Sequence, residues 1–401
     1  YFYPDLPKAY QISQYELPVC LKGHLEIETE NGSKIIGITR AHLEEDAGKL
    51  VHNGDITTTA FSLVDLNRSG IPLLEIVSEP DLRTAQEARA YLEKLRSILL
   101  FIGVSDCKMQ EGSLRCDANV SVRPSGEKEF GIRTEIKNLN SFKALEKAIA
   151  YEARRHMEAI EDGETIVQET RTWDEEKQIT RSMRSKEDAH DYRYFPEPDL
   201  LPLIIDKSWI EEIKREMPEL PDQAQARLME QYGLSAYNAV FITSTPEHLR
   251  FFDECLASFK DAKTISNWMM GDLSRLLNQE NMEIEQCLAT PSRLASMLNL
   301  QEQGIISGKM AKAIFEEIFH TGKEPETIIK EKGLEQISSE NDLLPLIQEI
   351  VTNNPKVAED YKNGKSKATG FFVGQVMKAT KGQANPAAVN KLLAQVLEKL
   401  A

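Results

Sequence analysis

The sequence lacks the short motifs by which many enzymes hold their cofactors. No H-E-x-x-H, G-x-S-x-G or dinucleotide-type glycine fingerprint occurs in its 401 residues. The fragment Gly364-Lys365-Ser366 looks like the end of a P-loop, but Glu359 stands where the first glycine belongs. Backbone N–H groups must wrap the phosphates there, so that reading fails. Cysteine is scarce: Cys20, Cys107, Cys116, Cys255 and Cys287 are scattered, odd in number and without a C-x-x-C pair. This argues against a disulfide framework and against a zinc knuckle. No Cys/His pair stands out as a glutaminase dyad, so ammonia for any nitrogen chemistry must come from another polypeptide. No apolar run approaches the ~18 residues of a membrane span. Residues Tyr1-Phe2-Tyr3-Pro4-Asp5 carry neither the basic nor the apolar region of a signal peptide, which makes the cytoplasm the expected compartment. Positive charge is in deficit, with 48 Lys and Arg against 64 Asp and Glu. A net charge of −16 excludes a chain that coats nucleic acid over its whole surface and leaves room for a local basic patch.

What is present is the balance of a soluble globular chain, 41% hydrophobic and 28% charged, long enough for about two or three domains. The first half, to about residue 206, mixes strand and helix signals. Asn31-Gly32 between alternating segments predicts a hairpin. In the strand that follows, Arg40, His42 and Glu44 would share one face, because side chains alternate along a strand. Pro72-Leu73-Leu74-Glu75-Ile76-Val77 reads as a mostly apolar strand, and Thr84-x-x-Glu87 as the capping box of a helix that stops at Gly103. The alternation from Ser113 to Arg123 predicts a long strand, antiparallel to a second around Ile132–Lys137, with a helix from Ser141 to about Ile160. The second half shows almost only helix signals, with Pro221, Pro246, Pro291, Gly308, Pro325, Pro355 and Pro386 near predicted starts. Val389, Leu392, Leu393, Val396 and Leu400 mark one apolar helix face. No fixed-period repeat is found.

Carboxylates in unusual places carry the chemistry. Glu75 inside an apolar strand should meet a cation or a metal, since an unpaired buried carboxylate costs several kcal/mol. A structural ion pair with an arginine such as Arg115 is the plain alternative. Glu44-Glu45-Asp46 is a run of acids at a strand end, readable also as a solvated turn. Asp117 and Asn119 are poor strand formers at alternate positions, which suits either a wet face or a polar cavity lining. Oxygen donors of this type suit Mg²⁺. Near the end, Lys362, Lys365, Lys367, Lys378, Lys381 and Lys391 occur with no Asp or Glu between Lys362 and Lys391. This local reversal of charge would give affinity for phosphates or form a solvated face. Phe371 and Phe372 among them are expected in a core.

Several of these segments together resemble a known family. Tyr1 to Gln14 is similar to its Y-P-D-L-P-K-x-Y-Q-I-S-Q signature. So are His42 to Lys49, Asp65 to Gly70, Leu74 to Asp81, Glu111 to Arg123, Glu135 to Ser141 and Arg184 to Asp199. The family is the B subunit of the heterotrimeric tRNA-dependent amidotransferases (GatCAB), and the resemblance spans essentially the whole chain. It implies an α+β fold. An antiparallel-sheet cradle with flanking helices would occupy residues 1–211, an all-α helical domain 212–322, and a small all-α tail that leans on the tRNA 323–401. It implies ATP and Mg²⁺ as cofactors, the A and C subunits as partners, and misacylated tRNA(Gln) or tRNA(Asn) as substrate. By the same resemblance Glu44 and Glu75 would hold Mg²⁺, and Lys8 and Glu45 would lie where ammonia enters. Arg115 and Asp117 are assigned to catalysis. Asn119, Arg123, Glu135, Lys137, Arg184 and Lys186 are assigned to ATP, and Lys362, Lys365, Lys367, Lys378 and Lys381 to tRNA.

There are two departures from the family. Its opening strand, which supplies a further Glu and His to the metal site, is absent from this sequence, and so is the cysteine zinc site of some relatives; no zinc is expected. The alternative function is a non-catalytic tRNA-binding subunit whose acidic face only docks, and coupling of ADP formation to amide formation separates the two.

Overall fold

The computed structural model describes residues 4–51, 61–185, 197–334, 339–362, 367–380 and 383–400. Tertiary contacts divide the chain into two compact units, Tyr1–Leu220 and Pro221–Ala401. The first is α+β and the second is helical.

In the first unit, β1 (Cys20–Thr29) and β2 (Gly32–Glu45) form the expected antiparallel hairpin. Its loop is Glu30-Asn31, one residue earlier than the sequence signal: Gly32 is already paired with Thr29, and its φ of +102° shows why glycine stands there. A small ribbon of β3 (Lys49–Val51) and β4 (Leu63–Asp65) follows. Strand β5 (Pro72–Ser78) then returns to pair antiparallel with β2, giving the order β1-β2-β5. Helix α1 (Ala85–Phe101) starts at Thr84, whose hydroxyl accepts the Glu87 N–H at 3.1 Å. It lays Tyr91 against Ile27 and Ile36, and burying these side chains is what holds it to the sheet.

A second sheet has the order β6-β7-β8-β9. Its strands are β6 (Ala118–Val120), β7 (Thr134–Lys137), β8 (Glu169–Asp174) and β9 (Ile179–Ser185). All neighbours are antiparallel except β7 and β8, which are parallel and joined through α2 (Phe142–Glu161). The strand expected from Ser113 to Arg123 is therefore much shorter. Its partner β7 has only four residues, so three pairs form. Ala118, Val120, Ile136, Ala144, Leu145, Ala148 and Trp173 make the core between α2 and this sheet.

Glu152 of α2 is fully buried beneath the sheet and ties it together. It accepts hydrogen bonds from Thr134 Oγ1 of β7 at 2.8 Å, Thr180 Oγ1 of β9 at 2.6 Å and Arg155 at 2.5 Å. The His156 Nε2 atom lies 3.3 Å away and Arg171 Nε 3.5 Å away. Burial pushes the carboxyl up, but the hydrogen bonds from His156, Arg155, Thr180 and Thr134 outweigh it and hold the group well below its usual range. The unit ends with α3 (Lys207–Glu216), which buries none of its residues and contains Glu211, the first expected boundary.

The second unit contains α4 (Pro221–Tyr232), α5 (Ala236–Ile242), α6 (Pro246–Ser258), α7 (Ala262–Trp268) and α8 (Ser274–Glu280). A π turn, Met269–Leu273, joins the last two. Then come α9 (Pro291–Glu302), α10 (Gly308–Thr321), α11 (Pro325–Lys332), α12 (Glu340–Thr352), α13 (Pro355–Lys362), α14 (Lys367–Ala379) and α15 (Pro386–Leu400). Each of the six prolines and the glycine singled out in the sequence is the first residue of a helix. Proline is tolerated there because its missing N–H would have no intrahelical acceptor. Leu343, Ile347, Val351, Phe372, Val376, Val389, Leu392 and Leu393 form the core of the last helices. Phe372 is in that core as expected, whereas Phe371 is 39% exposed, since its neighbour takes the inward position on α14. No helix among the described residues is long and apolar enough to cross a membrane.

Candidate active site

Register builds the site. The β2–β5 ladder sets His42 directly opposite Glu75 and Glu44 opposite Leu73. Within β2, alternation brings Glu44 to the same side as His42, and His42 Nε2 lies 3.0 Å from Glu44 Oε1. One donor atom from each of His42, Glu44 and Glu75 fits within a mutual distance of 4.8 Å, the one such trio among the described residues. His42 is fully buried, while the Glu44 side chain is 12% exposed.

Glu44 is held from the other side by the chain's early segment. Ser13 Oγ donates to its Oε1 at 3.0 Å and Gln11 Nε2 to its Oε2 at 3.1 Å. That segment runs along the end of β2 through Gln14 N–H to Leu43 O and Glu45 N–H to Ile12 O, both 2.9 Å. The carboxylate is thus fixed before any ligand arrives.

Glu75 differs from its expected setting. Strand β5 lies at the edge of the sheet, so its side chains are not enclosed, and Glu75 is 44% exposed. Arg115 is not its partner. Among the described residues its cation is Arg40, at 3.7 Å, which also lies over the Tyr15 ring at 4.4 Å. Partial burial and the neighbouring Glu44 raise the Glu75 carboxyl above its ordinary value, against the smaller pull of His42 and Arg40. The charge of Asp117 adds to the upward push.

Asp117 itself pairs with Lys137 at 2.8 Å, and Lys137 also reaches Glu135 at 3.4 Å. Thr170 of β8 donates to Glu135 at 3.0 Å. Burial alone would lower the Lys137 ammonium, but the hydrogen bond and charge of Asp117, with Glu135, hold it above its ordinary value. Asn119 is exposed on β6 opposite Glu135. Arg123 turns into its own loop, over the Phe130 ring at 4.5 Å and onto the Lys128 carbonyl. Arg184 is paired through its backbone with Thr170, and Lys186 lies outside the described residues.

Arg115 instead meets Asp46, at 2.9 Å. Lys8 binds Glu197 at 2.9 Å and Asp199 at 3.2 Å, and Tyr10 donates to Glu197 at 2.5 Å. Those carboxylates hold Lys8 above its ordinary value. No ion pair joins Lys8 to Glu45 among the described residues, and the Glu45 main-chain carbonyl accepts from Gln11 at 2.9 Å.

Of the lysines assigned to nucleic acid, Lys362 ends α13, Lys367 begins α14, and Lys378 is exposed in the last turn of α14. Lys365 and Lys381 lie outside the described residues. Lys391 of α15 faces Glu340 of α12 at 3.5 Å.

Two residues of interest carry no site assignment from sequence. The signal for His42 is its place between Arg40 and Glu44, but its pairing with Glu75 depends on register across two strands. Arg68, described below, gives no signal beyond its place in Asp65-Leu66-Asn67-Arg68-Ser69-Gly70.

The chain matches the family model described as the GatB/GatE catalytic domain over residues 1–211 and the GatB domain over residues 250–397. It is similar to proteins named as the B subunit of aspartyl/glutamyl-tRNA(Asn/Gln) amidotransferase. That of Carboxydothermus hydrogenoformans is 58% identical over 400 residues, spanning 100% of this chain and 83% of the relative. That of Caldicellulosiruptor saccharolyticus is 57% identical over 403 residues, with the same coverage. That of Moorella thermoacetica is 57% identical over 397 residues, 99% of this chain and 83% of the relative.

Proposed function

This chain belongs to the B-subunit family of the aspartyl/glutamyl-tRNA amidotransferases, and from that membership we propose how its first unit takes part in the reaction. The chain acts within a tRNA-dependent amidotransferase, a ligase that converts Glu-tRNA(Gln) to Gln-tRNA(Gln), Asp-tRNA(Asn) to Asn-tRNA(Asn), or both. Its partners are the A subunit, which releases ammonia from glutamine, and the C subunit. It works in the cytoplasm, with the tRNA pool.

The observation that carries this reading is the meeting of Glu44, Glu75 and His42 on one strand pair, within electrostatic reach of Asp117. A carboxylate is a poor electrophile, so the amide needs a leaving group. An oxygen of the substrate's side-chain carboxylate attacks the γ-phosphorus of ATP, ADP departs, and an acyl phosphate forms. Ammonia then attacks the carbonyl carbon, the C–O bond to phosphate breaks, inorganic phosphate leaves, and nitrogen gives up a proton. Glu45, next to Glu44, is the base we assign to keeping ammonia neutral at the entrance, with Lys8 beside that path.

The donor set fits Mg²⁺. Carboxylate oxygens of Glu44 and Glu75 within 4.8 Å of each other call for a cation, and Mg²⁺ takes one or two protein carboxylates while leaving positions for phosphate oxygens. When bound, it would offset charge on the transferring phosphoryl. The chain's own part is to hold the carboxylates. Ser13, Gln11 and His42 fix Glu44, and the ladder fixes Glu75. Lys137, Asn119 and Glu135 line the adjoining sheet, where we place the nucleotide.

The test uses the full-length complex. Glu75→Gln should abolish tRNA-dependent ADP formation while glutamine hydrolysis by the partner survives. Glu45→Gln should lower glutamine-dependent amidation and leave ADP formation intact. Normal amidation by the Glu75 variant contradicts the activating role, and an equal fall in both activities for the Glu45 variant moves that residue to the phosphoryl-transfer step.

A further inference from the structure

We propose that Arg68 and Arg115, both anchored on Asp46, form a clamp that binds the side-chain carboxylate of the aminoacyl group. The proposal rests on the function just described and names the residues that receive its substrate.

The local chain dictates the arrangement. Asp65 Oδ1 accepts the Asn67 N–H at 2.9 Å, and Ser69 N–H reaches Leu66 O at 3.0 Å, so the segment folds into a tight turn. Gly70 N–H then donates to Asp46 O at 3.1 Å, which delivers Arg68 to the end of β2. Arg68 Nε lies 3.8 Å from Asp46 Oδ2, and Arg115 Nη2 lies 2.9 Å from the same oxygen. A Cβ placed on Gly112 would lie 3.2 Å from Arg68 Nη1, and Gly112 has a φ of +79°, so glycine lets the guanidinium pass over that loop.

The charge balance distinguishes this pair from the other cations around the site. Arg40 is taken up by Glu75, Lys137 by Asp117 and Glu135, and Lys8 by Glu197 and Asp199. At Asp46 the ratio is reversed, with two guanidiniums on one carboxylate that is 12% exposed. The arginine side chains remain 40% and 43% exposed. Arg68 Nε is buried and has no hydrogen-bond acceptor among the described residues, so Asp46 satisfies the Arg68 guanidinium only in part. With one carboxylate between them and both side chains about two-fifths exposed, the pair can take a second anion from the open side, and a planar guanidinium fork matches a carboxylate.

The position suits the substrate. Asp46 is two residues beyond Glu44, and Arg115 two residues before Asp117. A face bearing Glu44, Glu75, Asp117 and Glu135 repels an incoming carboxylate, so adjoining cations are needed to admit one. An arginine pair also discriminates against the amide product, which has lost the charge.

The experiment measures binding to the full-length complex without ATP, using Glu-tRNA(Gln), Gln-tRNA(Gln) and uncharged tRNA(Gln). The parent should prefer Glu-tRNA(Gln) over Gln-tRNA(Gln) by about tenfold, the scale of a charge-assisted hydrogen bond. Arg68→Gln and Arg115→Gln should each erase that preference while binding of uncharged tRNA(Gln) is kept. Arg68→Lys, which keeps the charge and the pairing with Asp46, should retain part of it. An undiminished preference in both Gln variants overturns the clamp. An equal loss for all three tRNAs also overturns it, because the arginines then only hold loops together. Since ATP is left out, failure of the clamp is distinguishable from failure of the activating role, which shows itself as absent ADP formation by the parent.

Discussion

His42 stands directly across the β2–β5 ladder from Glu75, and its Nε2 atom lies 3.0 Å from Glu44 Oε1. One imidazole thus hydrogen-bonds the first carboxylate and stands across the ladder from the second. A hydrogen bond that orients a metal-binding carboxylate is commonly worth about 10–100-fold in metal affinity. His42→Ala should therefore raise the Mg²⁺ concentration for half-maximal amidation by about that factor, with little change in the apparent affinity for tRNA. His42→Gln, which can still donate to Glu44, should recover part of the loss. An unchanged Mg²⁺ requirement in the alanine variant removes His42 from the site.

Glu152 gives a prediction about stability and pH. Its carboxyl is held below its ordinary value in the folded chain. A group lowered in this way contributes stability that is complete above the unfolded value of about 4.3 and declines as pH falls toward the folded one. Glu152→Gln removes the buried carboxylate that Arg155 and Arg171 share and leaves them only Glu169, which should cost about 1–3 kcal/mol at pH 7. The gap between the parent and the variant should narrow as the pH is lowered below about 4. Amide hydrogen exchange in β7 and β9 over that range reads it, and a gap independent of pH contradicts the assignment.

The lysines of the second unit yield a test of tRNA binding. Lys378 is exposed, and the backbone places Lys362 at the end of α13 and Lys367 at the start of α14. Replacing Lys362, Lys365 and Lys367 with Ala should weaken tRNA binding at low salt. It should also flatten the salt dependence by up to about one log–log unit for each phosphate no longer neutralised. An unchanged slope would mean that these lysines form a solvated face.

Much of this architecture could be read from residues, and the remainder shows where such reading stops. The helix starts were legible because proline and glycine act locally, through a missing N–H or a missing Cβ. The face shared by Arg40, His42 and Glu44 was legible because alternation is a property of one strand. Burial alternates from Leu114 to Val120 as the sequence implied, yet the ladder covers only Ala118–Val120. Alternation reports which side is covered, whereas a strand also needs a partner, and β7 offers four residues. The partners of Arg115 and Glu75 were not legible. Ion pairs between distant segments depend on turns such as the one presenting Arg68, whose placement no local pattern encodes.

The central claim is that the side-chain carboxylate of the aminoacyl group is activated by phosphorylation on the face that carries Glu44 and Glu75. Labelling that carboxylate of Glu-tRNA(Gln) with ¹⁸O tests it most directly in the full-length complex with ATP and glutamine. The account predicts one ¹⁸O in each inorganic phosphate released by the parent, and neither labelled phosphate nor amide from the Glu75→Gln variant. Amide formation by the parent with no label in the phosphate would contradict it.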